Sequence, residues 1–316
     1  MIPADNTPTT KASRARLLAR LRRFGTRHRN WIGYVFVLPW FISLLWFDLV
    51  PFLMNQYLSF TDFTVGRKLP NWVGLANYEE ILRGDHLIGT SLKNTIYYVG
   101  FSVPLIIIFS FSLALLLNAD LPGRSVFRTI FYVPSVVPVV VSSVIWLFML
   151  RTRGGLINQF LSLFGLKPVR WLTRPEWAKP ALIIMSLWGF GSQMVVYLAG
   201  LQGVPEELYE AAEIDGAGGW AKLTRLTIPL MTPVVFFNLV MGVISAFQVF
   251  TSTFIMTQGG PLNSTLFYML HLYNNAFGHY RMGYASAMAL ILFFIILSLT
   301  ILLNRTSERW VYYGIS

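Results

Sequence analysis

The chain has 316 residues, of which 55% are hydrophobic and only 12% charged, with a mean hydropathy of +0.56, which excludes an ordinary soluble globular protein. It contains no cysteine, which removes disulfides and thiolate metal sites. The formal charge of +11 would suit nucleic acid, but eight Lys and Arg fall between Lys11 and Arg29, directly before the first apolar run. That placement is what the positive-inside rule gives a cytoplasmic N-terminus, so no nucleic-acid partner is expected.

The first apolar run, 31–54, is too long for the core of a signal peptide, and no small-residue cleavage site follows it. Crossing a hydrocarbon core of ~30 Å takes about 20 apolar residues. Six segments qualify: 31–54, 94–118, 126–150, 180–202, 230–256 and 284–303. The chain therefore reads as an all-α membrane protein with a basic cytoplasmic tail (1–30), a six-span domain (31–303) and a cytoplasmic C-terminal tail (304–316). Starting inside, six crossings put 55–93, 151–179 and 257–283 outside and 204–229 inside. On this arrangement 14 Lys and Arg lie inside and 11 outside, so charge orients the first span firmly and the others weakly. The 151–179 loop even opposes the rule, with Arg151, Arg153, Lys167, Arg170, Arg174 and Lys179 against Glu176 alone.

The segment between the fourth and fifth spans carries more order than a linker needs. Pro205 suits the start of a helix, and Glu206, Glu207 and Glu210 load its first turns with the negative charge that a helix N-terminus favours. Helix formers run to Asp215, and Gly216 supplies the residue able to take positive φ and stop the helix. A second short helix is expected over 220–227, ending at Pro229.

No catalytic set is present. His28, His86, His271 and His279 are scattered without metal-ligand spacing, and no G-x-x-x-x-G-K-[ST] phosphate loop occurs. The spans hold almost no ionisable residues, with Asp48 the clearest exception. Proton-coupled carriers place acidic or histidine relays in the bundle, so energy is expected from a partner chain. A stand-alone secondary carrier or channel is the alternative of a different class, and it leaves the 204–229 segment without a purpose.

That segment resembles the EAA loop of ATP-binding-cassette importer permeases, whose pattern is E-A-A, three residues, Gly, nine residues, then I-x-L-P. Here it stands as Glu210, Ala211, Ala212, Gly216, then Leu226, Thr227, Ile228 and Pro229, with the two aliphatics exchanged. Further stretches resemble sugar-importer permeases of the MalF type. These are Gly74-Leu75-x-Asn77-Tyr78, then Val133-Pro134-x-x-x-Pro138, and Phe247-Gln248-x-Phe250 followed by Met256-Thr257-x-Gly259-Gly260-Pro261. The sequence departs from many relatives at Thr251, where an Asp commonly stands.

The resemblance implies the type I importer permease fold with six transmembrane helices and a cytoplasmic EAA coupling helix, in a bacterial or archaeal cell (inner) membrane. It implies as partners a second homologous permease, two ATPase subunits and an extracytoplasmic solute-binding protein. ATP and Mg would belong to the ATPase, and no cofactor to this chain. Glu210, Ala211, Ala212, Asp215 and Gly216 would form the surface that docks into the ATPase. The substrate implied is a sugar or oligosaccharide, with glycerol-phosphate or an acidic saccharide as alternatives.

Sugar recognition needs hydroxyl-matching donors and acceptors together with flat aromatic faces. Matching the family's mid-membrane positions, the expected substrate contacts are Ser186, Gly189, Phe190 and Gln193 in the fourth span and Ser245 and Gln248 in the fifth. The same residue types also serve interhelical hydrogen bonds and close packing. The basic 151–179 loop suits either an anionic substrate or acidic residues on the binding protein.

Overall fold

The computed structural model describes residues 34–66, 69–119 and 122–312, so the basic tail expected over 1–30 lies outside the described residues. The chain divides into two compact units, one up to Tyr57 and one from Leu58. Helix α1 (Tyr34–Ser59) makes up the described part of the first unit; it is 26 residues long and apolar enough to cross a bilayer. Its backbone widens to π-helical geometry over Leu44–Leu49.

The second unit opens on an isolated bridge between Thr61 and Trp72 and a short helix α2 (Ala76–Glu79). The Gly74–Tyr78 stretch serves here as a brace. Gly74 takes φ +59°, the Asn77 amide donates to the carbonyls of Ser59 (2.8 Å) and Thr61 (2.9 Å), and the Tyr78 hydroxyl donates to Ser59 Oγ at 2.7 Å. Helix α3 (His86–Asn118) begins well before the apolar run that starts at 94, because Asp85 caps it by accepting from the Leu87 N–H at 2.8 Å. Its early polar residues turn their hydroxyls inward to the backbone: Ser91 donates to Ile88 O and Thr95 to Ser91 O.

The third and fourth spans are broken. Helices α4 (Arg124–Val136) and α5 (Val139–Met149) meet at 99°, and α7 (Pro175–Leu187) and α8 (Gly191–Gln202) at 47°. Pro138 explains the first break, since it has no N–H to donate and forces Val137 into an extended conformation (φ −70°, ψ 127°). Between the two broken spans lies α6 (Leu156–Leu163). Counting each bent pair once, the described residues contain six helices or helix pairs long and apolar enough to cross a membrane.

Helix α9 (Glu206–Ile214) is followed by α10 (Gly219–Lys222), which continues without a break through a wide turn, Leu223–Thr227, into α11 (Ile228–Phe247). The separate helix expected over 220–227 is therefore the start of a span. The wide turn directly before Pro229 opens the contact with the preceding turn that the proline ring would otherwise strike. After a break at Gln248–Phe250 come α12 (Thr251–Met256), α13 (Tyr268–Tyr273) and α14 (Met282–Ser307).

The 257–283 segment is packed into the bundle rather than lying as a surface loop: Phe267, Tyr268 and Leu270 are buried. Asn94 on α3 holds it by donating to the carbonyls of Asn263 (2.8 Å) and Leu266 (3.2 Å), and Thr95 Oγ1 accepts from the Tyr268 N–H at 2.9 Å. One apolar core gathers Tyr98, Trp146, Leu182 and Phe267; another gathers Ala114, Met194, Tyr197 and Met231. Beyond Ser307 the chain folds back onto α11, with Trp310 edge-on to Phe236 and the Tyr312 N–H donating to Thr232 Oγ1 at 2.8 Å.

Candidate functional sites: a polar cavity and an exposed acidic helix

Helices α3, α8 and α11 line a partly open cavity of about 170 Å³. Its polar lining comes from Tyr98 and Ser102 on α3, Gln193 on α8, and Asn238 and Ser245 on α11, with Gly242 leaving room on the α11 side. Two of these atoms, Ser102 Oγ and Gln193 Oε1, are buried without a hydrogen-bond partner. A buried acceptor left in that state costs about 1–3 kcal/mol, so a fold retains one where something else completes it. At about 30 Å³ per water, the space accepts several waters or a small polyhydroxylated group. Among the described residues that line it, none is Lys, Arg, His, Asp or Glu.

The expected substrate contacts separate on this geometry. Gln193 and Ser245 line the cavity. Ser186 stands just behind it, donating to the Ile183 carbonyl at 2.6 Å within reach of the Tyr98 hydroxyl. Gly189 and Phe190 sit at the α7–α8 break, where Phe190 packs in the core with its ring 6.2 Å from that of Phe131. Gln248 is exposed at the end of α11. The structure thus brings two of the six together at the cavity and leaves Gly189, Phe190 and Gln248 outside it. Tyr98 and Ser102 were not anticipated. The signal for them was a polar row on one face of the second span, Ser91, Asn94 or Thr95, Tyr98 and Ser102, at helical spacing.

The second site is α9. Glu206 and Glu207 occupy its first turn, Pro205 precedes it as the N-cap residue, and Asp215 ends it. Gly216 follows with φ +77°; its N–H bonds Glu213 O, and the Ala217 N–H bonds Ala212 O at 2.8 Å. Glu210, Ala211, Asp215 and Gly216 are exposed and Ala212 is half-buried, so the expected docking residues form one accessible surface. Ile214 and Trp220 stand beside it at 88% and 77% exposure, an apolar pair left uncovered. Two cross-links hold α9 to the start of the next span. The Tyr209 and Thr227 hydroxyls share a hydrogen bond at 3.0 Å, and Lys222 pairs with Glu213, which keeps the Glu213 carboxyl below its usual range.

At the far end of the bundle, Asp85 ties three elements together. Its Oδ2 lies 2.6 Å from His271 Nε2 and accepts from the Tyr284 hydroxyl at 2.8 Å. Burial raises the Asp85 carboxyl, but the bonds from His271, Tyr284 and the Leu87 N–H outweigh it and leave its pKa below the ordinary value. Arg281 pairs with Glu80 beside this group.

Residues 94–311 match the model of the family described as "Binding-protein-dependent transport system inner membrane component". The chain belongs to that family. It is 40% identical over 290 residues to the probable ABC transporter permease protein YesP of Bacillus subtilis, covering 91% of this chain and 94% of that one. It is 35% identical over 275 residues to the trehalose/maltose transport system permease protein MalF of Thermococcus litoralis, covering 85% and 91%. Among solved structures, one chain of a bacterial alginate ABC transporter, in complex with its alginate pentasaccharide-bound periplasmic protein, superposes with a TM-score of 0.81. It is 25% identical, with 93% of this chain and all of that one covered. The all-α importer-permease fold expected from the EAA resemblance is thereby established. As a family member the protein is an integral membrane component, a permease subunit, of a transport system.

Proposed function

We propose that this permease translocates a neutral sugar or oligosaccharide as one of two membrane subunits of an ATP-driven, binding-protein-dependent importer. The observation that carries the reading is the cavity. It pairs buried, unpartnered polar atoms with a tyrosine ring and holds no charge, which is the chemistry that hydroxyl groups and an uncharged ring require. An anionic substrate would need a cation to balance it, and the described lining supplies none. The relatives named for trehalose and maltose and for lactose support a saccharide cargo. Substrate contacts are assigned to Gln193 and Ser245 together with Tyr98 and Ser102, with Ser186 supporting Tyr98 from behind.

Coupling runs through α9. Its exposed Glu210 meets a cation on the ATPase, Ala211 and Ala212 permit close approach, and Ile214 and Trp220 seat in an apolar cleft. ATP and Mg act in that partner and not in this chain. The N- and C-termini and α9 face the cytoplasm, and the solute-binding protein docks at the opposite end. The acidic-saccharide reading draws on the alginate transporter likeness and on the exposed cations between Arg151 and Arg174, none of which lines the cavity.

The test is purification of the tagged chain in mild detergent, identification of what it retains, and uptake assays in vesicles. A second permease and a P-loop ATPase should co-purify, and neutral saccharides should compete for uptake. Recovery of the chain alone in a transport-competent form would refute the importer assembly, and competition by acidic saccharides only would refute the neutral cargo.

A further inference from the structure

We propose that α6 lies in the plane of the membrane interface, with its apolar flank sunk into the bilayer beside the outer ends of α5 and α7. The inference requires only that those two helices span a bilayer, and not the identity of the cargo.

Six residues separate the end of α5 at Met149 from Leu156, and they fold back so tightly that a Cβ on Gly155 would stand 2.7 Å from the Met149 carbonyl oxygen, which starts α6 at the end of that span. Asn158 fixes it there. Its amide donates to the carbonyls of Thr152 (3.1 Å) and Val169 (2.9 Å), and its Oδ1 accepts from the Val169 N–H and the Trp171 indole, both at 3.1 Å. Trp171 is buried and packs edge-on at 5.3 Å against Trp177, which is 41% exposed near the start of α7, where an exposed span-end tryptophan suits the headgroup level.

At 3.6 residues per turn the helix has three flanks. Ile157, Asn158 and Leu161 face the protein, the two aliphatics packing on the core around Trp146. Gln159 and Ser162 form an exposed polar edge. The remaining flank is apolar and uncovered: Leu156, Phe160, Leu163 and Phe164 are 62%, 60%, 80% and 67% exposed, with the two phenyl rings edge-on at 5.2 Å. Protein on one side, water on another and hydrocarbon on the third is the environment this pattern fits. Arg153 and Lys167, exposed just before and after the helix, stand where anionic headgroups would meet them. A binding protein that docks and departs in each cycle would leave four large apolar side chains wet between visits, whereas a bilayer covers them throughout.

Because the natural chain has no cysteine, single labels are unambiguous within it. Phe160→Cys, Leu163→Cys and Ser162→Cys would each carry a nitroxide. The full chain, with whatever subunits it retains, would be reconstituted in phosphatidylcholine–phosphatidylglycerol vesicles. The signal of the equally treated unsubstituted preparation would be subtracted. Collision with oxygen and with a water-soluble nickel chelate then reads depth. Labels at 160 and 163 should be reached by oxygen and shielded from nickel, at about 5–10 Å below the headgroup boundary, with the reverse at 162. Nickel access at 160 and 163 would overturn the proposal by showing a solvated face. Exclusion of both reagents would overturn it in favour of a protein cover.

Discussion

Replacing Gln193 with leucine separates a ligand role from a packing role, because the two predict opposite signs. In the structure Gln193 Oε1 is buried with no partner, facing a cavity that also holds an unpartnered Ser102 Oγ. An unmet acceptor of this kind burdens the unliganded fold by about 1–3 kcal/mol, and leucine of similar size removes the burden. The thermal midpoint of Gln193→Leu should therefore hold or rise. A neutral hydrogen bond from a substrate hydroxyl to the same atom is worth about 0.5–1.5 kcal/mol. At 1.4 kcal/mol per tenfold, its loss should raise KM for uptake about 2- to 12-fold. The assay is substrate uptake into vesicles by the assembled transporter, run beside a melting curve of the same preparation. A lowered midpoint with unchanged KM would show that Gln193 is a packing residue and that the cavity is not the cargo's path. Gln248→Leu is the internal contrast: exposed and outside the cavity, it should leave KM unchanged.

Three further outcomes are expected. Glu210→Lys and Gly216→Pro should abolish uptake and loosen ATPase retention while the protein still inserts; normal uptake in both would remove α9 from coupling. Gly191→Ala should lower the thermal midpoint by an amount corresponding to about 1–3 kcal/mol, because its Cβ would stand 2.3 Å from the Phe131 carbonyl oxygen with backbone on both sides. An unchanged melting curve would show that α4 and α8 can part at no cost. Asp85→Asn should lower stability at neutral pH and flatten its dependence on acid. The folded carboxyl sits below the ordinary value of 3.8, so its contribution is present above that value and is lost as pH falls through the depressed folded pKa. A melting series with equal acid sensitivity in both proteins would refute that assignment.

Periodicity and turn chemistry carried the helical content, and fixed spacing carried the EAA segment. Glu206 and Glu207 in the first turn, Asp215 at the end and Gly216 at positive φ all stand where local rules put them. Hydropathy located the spans but started the second at 94 rather than 86, since it discounts polar residues such as Ser91 that are satisfied by their own backbone. It gave no sign that 257–283, expected outside, packs into the bundle, because the contacts that hold it come from Asn94 and Thr95, far away in sequence. The cavity was half legible for the same reason. Gln193 and Ser245 stood out as polar residues in apolar spans, whereas Tyr98 and Ser102 count as site residues only once three distant helices have converged.

The breaks at 137–138 and 188–190 leave α4 and α8 as short rods on the α9 side of the bundle, and they touch so closely that Gly191 has no room for a methyl group. Three residues join α8 to α9. A displacement of α9 would therefore reach a half-length lever, α8, through that short join, and α11 through the Tyr209–Thr227 and Lys222–Glu213 cross-links. Gln193 rides on that lever two residues from its pivot, while Tyr98 and Ser102 belong to the unbroken α3. If α9 couples to the ATPase as proposed, the cavity has one wall on the driven arm and one on the frame, so a short stroke at α9 would change the distance between the groups that grip a single solute.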